Sequence, residues 1–439
     1  MNIKYSLVLA ILFFTSLVKA QSVLTQEEAI KLTLENNYDI KIANNAVEVA
    51  ENNTSILNSG YLPTLTGNAG ATYNLDNNES QFLDGRPNTV LNGAESDRYN
   101  ASLSLNYTIF DGLGRQYNYK SLKEQYQLSE LQARETIENT VIQLFTVYYN
   151  VSQSLENVSA LEETLKISKD RLVRAEYQFE YGQNTKLGVL NAEVDIVNDS
   201  INLINSKQQL KSSKRDLNVV LGNVLEDDFT VETEVDFALQ FKKDSLFEKA
   251  KTRNIALLQT EKNIAISQLA IKSNKSAYLP TVGLVGTYGW NKNNNNAASF
   301  VAVSTNTGLS AGLNLSWNIF DGGSTITRVR NAKINLETQQ LQKDNILISI
   351  TREFNNVWDD FTNKLEIYNL QENNIVTAQN NFNRTQEKFK IGQVNSIEFR
   401  QAQLNLLNAE LSKNQAKFAA KLAELSLLQL SGELLNVQF

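Results

Sequence analysis

The tetrapeptide YLPT occurs twice in this chain, in YLPTLTGNAGATYNL at residues 61–75 and in YLPTVGLVGTYGW at residues 278–290. The 439 residues contain only three prolines, and two of them, Pro63 and Pro280, lie in these matching positions. Proline disfavours a helical conformation at the residue before it and has no amide hydrogen to donate. Each tetrapeptide is therefore predicted to end a helix and to begin a strand.

The repeated tetrapeptide belongs to a duplication that covers most of the chain. YLPT recurs after 217 residues, whereas IFDG and the dipeptide Gly-Gln both recur after 210. The length difference lies between Pro63 and Phe110, in one segment of the first copy. We predict an internal tandem duplication. Its predicted divisions are a first repeat at 21–222, a linker at 223–245 and a second repeat with a C-terminal tail at 246–439.

Each copy contains two segments in which apolar residues occupy every second position. These segments are 65–75, 101–109, 282–290 and 309–319. The intervening residues are Ser, Thr, Asn and Gly, almost without charge, so the pattern predicts four strands with one apolar and one neutral polar face. Transmembrane β-strands have this pattern, and a soluble β-sandwich with one wet face is the alternative. The predicted hairpins span 64–110 and 281–320, with polar connections at 76–98 and 291–306.

The rest of the chain has the spacing of packed helices. Apolar residues recur every seven positions from Leu144 to Phe179, and the same positions shifted by 210 are apolar again. A strict seven-residue repeat predicts long helices that supercoil with neighbours, about 100 Å in length. Asp111 and Asp321 are predicted to cap these helices. The predicted long helices are 112–180 and 322–390, and the short ones are 25–60, 187–221, 246–277 and 397–431.

Composition excludes several classes of function. Histidine and cysteine are absent, methionine occurs once, and no phosphate-binding loop is present. Imidazole bases, thiol nucleophiles and soft-metal sites are thus excluded, and we predict no enzymatic activity, cofactor or metal. The net charge is −7 and no basic cluster suggests nucleic acid. Residues 1–20, with Lys4 before a short apolar stretch, are predicted to be a secretory signal peptide.

Four membrane strands cannot close into a barrel by themselves. An open sheet edge in lipid leaves backbone groups unpaired, and bacterial barrels have at least eight strands. Several copies of the chain must therefore share one barrel. A dimer, a trimer or a tetramer would supply about 8, 12 or 16 strands respectively, and the pattern alone does not choose among them.

The order of these motifs resembles the TolC-like outer-membrane efflux protein family over essentially the whole mature chain. The motifs are the duplicated halves, YLP before each hairpin, IFDG after it, helices broken at YGQ and IGQ, and LGN at 221–223. The resemblance implies a homotrimer whose 12-stranded barrel lies in outer-membrane lipid and continues as a coiled-coil helical barrel through the periplasm. It also implies an exit duct for an inner-membrane pump and a periplasmic adaptor protein. The linker at 223–245 would belong to an equatorial collar.

The resemblance also indicates candidate site residues at the turns between helices. Gly182, Gln183, Gly392 and Gln393 would be the tips that contact the adaptor. The family's periplasmic aperture implies acidic residues shortly after the second turn, where this chain has Glu398 and then Gln401. In the first copy, the position that matches Gln401 is Asn191, and the one that matches Glu398 is Gly188, so that half offers no carboxylate. Glu398 could instead be an ordinary solvated residue, or could pair with a nearby cation, the candidates being Arg384, Lys388, Lys390 and Arg400.

Two other classes of protein fit parts of the sequence. A secreted coiled-coil structural or adhesin protein of the cell envelope would explain the heptads and the signal peptide, but not the two alternating hairpins. An outer-membrane enzyme would explain the strands, but few catalytic residue types are available.

Overall fold

The computed structural model describes residues 23–226, 229–237 and 241–436. The predicted signal peptide at 1–20 lies outside the described residues. The described chain forms two compact units, one made of residues 47–130 and 259–343 and the other of the remaining residues. No helix among the described residues is long and apolar enough to cross a membrane.

The chain contains eight α-helices and six strands in its described part. The strands are β1 (Val23–Leu24), β2 (Thr64–Ser80), β3 (Thr89–Phe110), β4 (Thr230–Val231), β5 (Thr281–Asn294) and β6 (Val303–Ser316). The helices are α1 (Gln26–Asn36), α2 (Tyr38–Asn53), α3 (Gly114–Glu180), α4 (Lys186–Val220), α5 (Lys243–Arg253), α6 (Ile255–Ser276), α7 (Ser324–Lys390) and α8 (Ser396–Leu430).

The unit of residues 47–130 and 259–343 contains one antiparallel sheet of four strands in the order β2-β3-β5-β6. The two predicted hairpins are present, and the pairing of β3 with β5 joins them, with Ala101 opposite Trp290. Apolar side chains of this sheet are exposed, among them Leu65, Leu309 and Leu313. The four predicted strands, with an apolar face that no other element of the unit covers, are confirmed.

The first hairpin is longer than the sequence indicated. Residues 76–98 were predicted to be a polar connection, but β2 continues to Ser80 and β3 begins at Thr89. Polar side chains on both faces of this extension give no two-residue hydrophobic period, so the pattern missed it. Backbone pairing nevertheless continues to Ser80 opposite Thr89, past a register shift between Asp76 and Asn78. In the second copy, likewise, the predicted connection at 291–306 is shorter, because β5 continues to Asn294 and β6 begins at Val303, and β6 ends at Ser316, before the predicted end of its hydrophobic alternation.

The two aspartates cap the long helices as predicted. Oδ2 of Asp111 accepts a hydrogen bond from the backbone amide of Arg115 at 2.8 Å. Oδ2 of Asp321 accepts one from the amide of Thr325 at 2.9 Å and one from its hydroxyl at 2.6 Å. These carboxylates satisfy amide donors that the first turn of a helix leaves free.

The short helices before each hairpin are interrupted, although the sequence predicted each as one helix. The breaks lie at Asn37 and Asn254, which are 217 residues apart and so occupy the same place in the two copies. Nδ2 of Asn37 donates to the carbonyl of Val220 at 2.9 Å, and Nδ2 of Asn254 donates to that of Leu430 at 3.2 Å. Neither break contains glycine or proline, so no helix-breaking signal was visible in the sequence.

A tight approach accompanies each of these breaks. Gly222 has φ +83°, and a Cβ there would lie 2.8 Å from the carbonyl oxygen of Asn36. Gly432 has φ +70°, and a Cβ there would lie 2.6 Å from the carbonyl oxygen of Arg253. Glycine is needed at both positions because of the left-handed backbone and because of the neighbouring main chain.

Glu433, the residue after Gly432, closes the second of these junctions with an ion pair. Its carboxylate accepts hydrogen bonds from Nζ of Lys249 at 2.9 Å and from Nη1 of Arg253 at 2.6 Å. Partial burial raises the pKa of Glu433, but these two cations outweigh it and hold the pKa below the usual glutamate value.

The heptad positions form the core of the second unit. Leu144, Val151 and Val158 on α3 are buried, and so are Phe354 and Phe361 on α7, which confirms the helical repeat there. Phe179, near the end of α3, is exposed. The linker contributes to this core through β4, which pairs in parallel with β1. The hydroxyl of Tyr148 donates to the carbonyl of Leu24 at 2.7 Å and thereby fixes β1 against α3.

Candidate functional site

The candidate site lies at the two turns that join the long helices to the short ones. The turns span 181–185, between α3 and α4, and 391–395, between α7 and α8. Gly182 and Gly392 adopt φ values of +72° and +77°, and the amides of Gln183 and Gln393 bond back to carbonyls of the preceding helix at 2.7 and 2.8 Å. This is the Schellman geometry that ends a helix at glycine. Apart from the glycine and its two chain neighbours, no atom of the chain lies within 4 Å of the position that a Cβ would take at Gly182 or Gly392.

Glu398 performs a local structural task at the start of α8. The Asn395 side chain accepts hydrogen bonds from the amides of Ile397 at 3.0 Å and Glu398 at 2.9 Å. The Glu398 carboxylate accepts one in return from the Asn395 amide at 3.4 Å, which completes a capping box. The Glu398 side chain is otherwise exposed. A capping role and a place at an aperture are compatible, because a carboxylate has further lone pairs that can face a lumen.

The other two predicted aperture residues are also exposed. Gln401 donates from Nε2 to Oδ1 of Asn405 at 2.8 Å, one turn further along α8. Asn191 lies on α4. In the described part of one chain, no hydrogen bond or ion pair joins Glu398, Gln401 and Asn191 to one another. The structure therefore does not bring the predicted aperture residues together within a single subunit.

A buried group of polar side chains lies nearby, and the sequence analysis missed it. We call it the tip polar cluster. Its members lie on three helices: Thr164, Ser168 and Arg171 on α3, Asp195 and Asp199 on α4, and Arg400 and Gln403 on α8. Asp195 and Asp199 are four residues apart on one face of α4, which was the available signal, but Arg400, the partner that joins α8 to them, is 201 residues from Asp199 in sequence.

Arg400 is the centre of the tip polar cluster. Its guanidinium donates to both carboxylate oxygens of Asp199, at 2.8 and 2.6 Å, and to the Ser168 hydroxyl at 3.2 Å. The Ser168 hydroxyl donates in turn to Asp199 at 2.6 Å. Because Asp199 is only 1% exposed, its charge depends on these partners. Arg400 therefore does not pair with Glu398, and that alternative is wrong. The guanidinium of Arg400 instead binds the buried carboxylate of Asp199 through two hydrogen bonds, a geometry that arginine favours.

Gln403 and Arg171 extend the cluster along α3. Nε2 of Gln403 donates to the carbonyl of Thr164 at 2.9 Å and to the hydroxyl of Ser168 at 3.0 Å. Arg171, which is 3% exposed, pairs with Asp195. Together these bonds hold the first turns of α8 against the helix pair formed by α3 and α4.

The two halves of the chain match a known protein family. Residues 29–223 and 246–433 match the outer membrane efflux protein family. The chain belongs to this family. The matched segments coincide with the two copies of the duplication, and the match leaves out the linker. Membership in the outer membrane efflux protein family confirms the family resemblance and the predicted location in the outer membrane.

Individual relatives are distant but extend over most of the chain. The outer membrane efflux protein BepC of Brucella suis is 21% identical over 421 residues, which cover 94% of this chain and 88% of BepC. The outer membrane protein TolC of Vibrio cholerae is 19% identical over 342 residues, or 77% of this chain and 78% of TolC. The Campylobacter jejuni CmeC outer membrane channel superposes with a TM-score of 0.76 at 18% identity, covering 93% of this chain and 86% of CmeC. These likenesses confirm the fold of an outer membrane efflux protein.

Proposed function

We propose that this outer membrane efflux protein is the exit duct of a tripartite efflux system or a type I secretion system. Small molecules or proteins would pass through it without catalysis, driven by an inner-membrane pump that a periplasmic adaptor connects to the duct. Family membership supports the outer-membrane part of this proposal. The main observation behind the proposal is the four-stranded sheet, because its open edges require a duct built from several subunits.

The sheet requires partners from other copies of the chain. Its outer strands, β2 and β6, each pair on one side only among the described residues. An unpaired strand edge in lipid leaves amides and carbonyls without hydrogen bonds, at a cost of several kcal/mol for each group. If β6 of one subunit pairs with β2 of the next, the sheet closes and no edge remains. The resemblance to the family favours three subunits and therefore a barrel of 12 strands.

An exposed apolar stripe on α4 supports the same conclusion for the helical part. Its residues follow the alternating spacing of three and four positions that coiled coils use. They are Leu187, Leu190, Val194, Val197, Ile201 and Ile204, which are 45–67% exposed within one chain. A continuous apolar seam of this length is typical of an interface. A neighbouring subunit is the partner that the open sheet already requires.

The helix tips are the proposed points of contact with the adaptor. Gly182 and Gln183 lie in one turn, and Gly392 and Gln393 in the other, with open space around each glycine and exposed Tyr181 and Ile391 beside them. An adaptor can therefore approach the main chain closely at both turns. Glu398, Gln401 and Asn191 would line the aperture between the subunits, and the tip polar cluster would hold the helix pairs of each subunit together when the aperture is closed.

Conductance across a planar lipid bilayer tests the duct directly. The detergent-purified protein should form a homotrimer and open pores of uniform size. A protein that remained soluble after removal of the signal peptide without detergent, and that formed no pores, would instead favour the coiled-coil adhesin.

Cross-linking in cells tests the proposed partners. A photoreactive residue placed at Gln183 or Gln393 should capture a periplasmic adaptor protein, whereas the same residue at Lys207 on α4, away from the tips, should not. Capture from Lys207 alone would refute the assignment of the tips.

A further inference from the structure

A small cavity lies beside the tip polar cluster, between α3 and the junction of α7 with α8. Its volume is about 160 Å³, which is room for several waters or one small organic molecule. Ile167, Arg171 and Arg174 contribute from α3, Phe389 and Lys390 from the end of α7, and Phe399 from the start of α8. None of these residues belongs to the predicted aperture or to the predicted adaptor contacts.

One side of the cavity is cationic. Arg171 is buried, and its Nε has no hydrogen-bond partner among the described residues, although its Nη2 pairs with Asp195. Arg174 donates one N–H to the carbonyl of Lys390 and forms no ion pair in the described part of the chain, so further donors on its guanidinium remain available. Asp170 is the one carboxylate in the lining, and it is exposed to solvent. A buried N–H without an acceptor is unfavourable, and an acceptor bound in the cavity would remove that cost.

The cavity also has an aromatic part next to the arginines. The rings of Phe389 and Phe399 stack with their centroids 4.6 Å apart and their planes 16° from parallel. The guanidinium carbon of Arg174 lies 5.4 Å from the centroid of the Phe389 ring. The aromatic rings therefore adjoin the guanidinium groups, and a lining of this kind is suited to a small molecule with an apolar body and a carboxylate, because arginine binds carboxylates at two points.

From this arrangement we propose that the cavity binds a small aromatic carboxylate and that the bound molecule holds α3 against the end of α7. The regulatory half of this inference rests on the proposed duct function. The ligand would contact α3 through the two arginines and α7 and α8 through the two phenylalanines. It binds best when these helices are together, so its occupancy favours the arrangement of the tips in this structure, which we take to be the closed one.

Binding is measured first, because that measurement does not depend on pore activity. The full-length mature protein in detergent is titrated with benzoate, with benzyl alcohol as the uncharged match and with inorganic phosphate as the anion that lacks a ring. Calorimetry or saturation-transfer NMR reports the affinity. Benzoate should bind at least about tenfold more tightly than either of the other two probes, since benzyl alcohol lacks the carboxylate and phosphate lacks the ring. The inference is overturned if benzoate does not bind, or if it binds with the same affinity as benzyl alcohol or as phosphate.

Two variants locate the binding site. Arg174→Gln removes a cation that lines the cavity and should weaken benzoate binding about tenfold or more. Lys166→Gln removes an exposed cation from the same helix outside the cavity and should leave the affinity unchanged. Size-exclusion chromatography verifies that each variant keeps the oligomeric state of the parent. Equal effects of the two substitutions would show general charge attraction and would overturn the assignment of the cavity.

Conductance then separates this inference from the proposed function. Benzoate should lower the open time of the parent pore, and the same concentration should have little effect on Arg174→Gln. Benzoate that binds through Arg174 but leaves the conductance unchanged would overturn the regulatory half alone. A protein that binds benzoate but forms no pore would overturn the proposed duct function while the binding site stands.

Discussion

Replacing Arg400 with glutamine should release the start of α8 from the helix pair formed by α3 and α4. Glutamine keeps a polar side chain of moderate length but loses the charge and the two-point contact with Asp199. Removing one partner of a buried ion pair costs about 3–5 kcal/mol, because the other charge stays buried. The Ser168 hydroxyl still donates to Asp199 at 2.6 Å and compensates in part. We therefore expect a loss near the lower limit, about 3 kcal/mol.

Amide hydrogen exchange measures this loss locally. Since about 1.4 kcal/mol corresponds to a tenfold change in an equilibrium constant, the amides at the start of α8 should exchange about a hundredfold faster in Arg400→Gln. The matched control is Lys364→Gln on α7, which breaks an ion pair with Asp360 whose distance is also 2.8 Å. The Lys364 and Asp360 side chains are 39% and 50% exposed, and such a pair contributes less than about 1 kcal/mol.

The double variant decides whether the effect comes from the stranded charge. Asp199→Asn combined with Arg400→Gln removes the buried charge of Asp199 together with its partner. The double variant should therefore lose less protection against amide exchange than the sum of the losses in Asp199→Asn alone and Arg400→Gln alone. In bilayers, Arg400→Gln should also spend more time at high conductance. Additive losses in the double variant, or an exchange change no larger than that of Lys364→Gln, would refute the reasoning.

Three further predictions concern other parts of the chain. Gly222→Ala should lower the midpoint of thermal unfolding clearly more than Gly182→Ala. Both substitutions place alanine at an unfavourable positive φ, but only the one at Gly222 would also press a Cβ against the carbonyl of Asn36. Equal midpoints for the two variants would contradict this. The carboxylate of Glu433 has a lowered pKa, so it stabilises the fold fully above the usual glutamate pKa and loses that contribution as the pH falls through its own lower value. The stability advantage of the parent over Glu433→Gln should accordingly shrink as the pH falls below the usual glutamate pKa, and a pH-independent difference would count against the ion pair. Glu398→Ala should weaken cation preference in single-channel recordings, and unchanged selectivity would leave Glu398 with its capping role alone.

The sequence predicted most of the fold because two periodicities were regular. Alternation over two residues located all four strands of the large sheet, and the seven-residue repeat located the long helices. The prediction failed where an element depends on a backbone partner that leaves no side-chain pattern in the sequence. The extension of β2 to Ser80 depends on pairing with β3, and the helix breaks at Asn37 and Asn254 depend on carbonyls nearly 200 residues away.

The candidate site was less predictable than the fold. The turns could be located because glycine ends a helix by a local rule, and Gly182 and Gly392 follow it. The tip polar cluster could not, because Arg400 reads in the sequence as one of several cations near Glu398. Only the folded chain shows that its partner is Asp199 and that this carboxylate is withdrawn from water. Long-range pairing of charges has no periodic signature in one sequence.

The duplication gives the tip polar cluster an asymmetry. The residue in the first copy that corresponds to Arg400, shifted by 210, is Leu190, which belongs to the exposed apolar stripe of α4. The two copies thus differ at this position: one has a charged residue in a contact inside the subunit, and the other has a residue of an exposed apolar surface, the proposed contact with a neighbouring subunit. Arg400→Gln should consequently weaken the contact inside the subunit, and Leu190→Gln the proposed contact between subunits, so that two single substitutions can separate opening within subunits from dissociation between them.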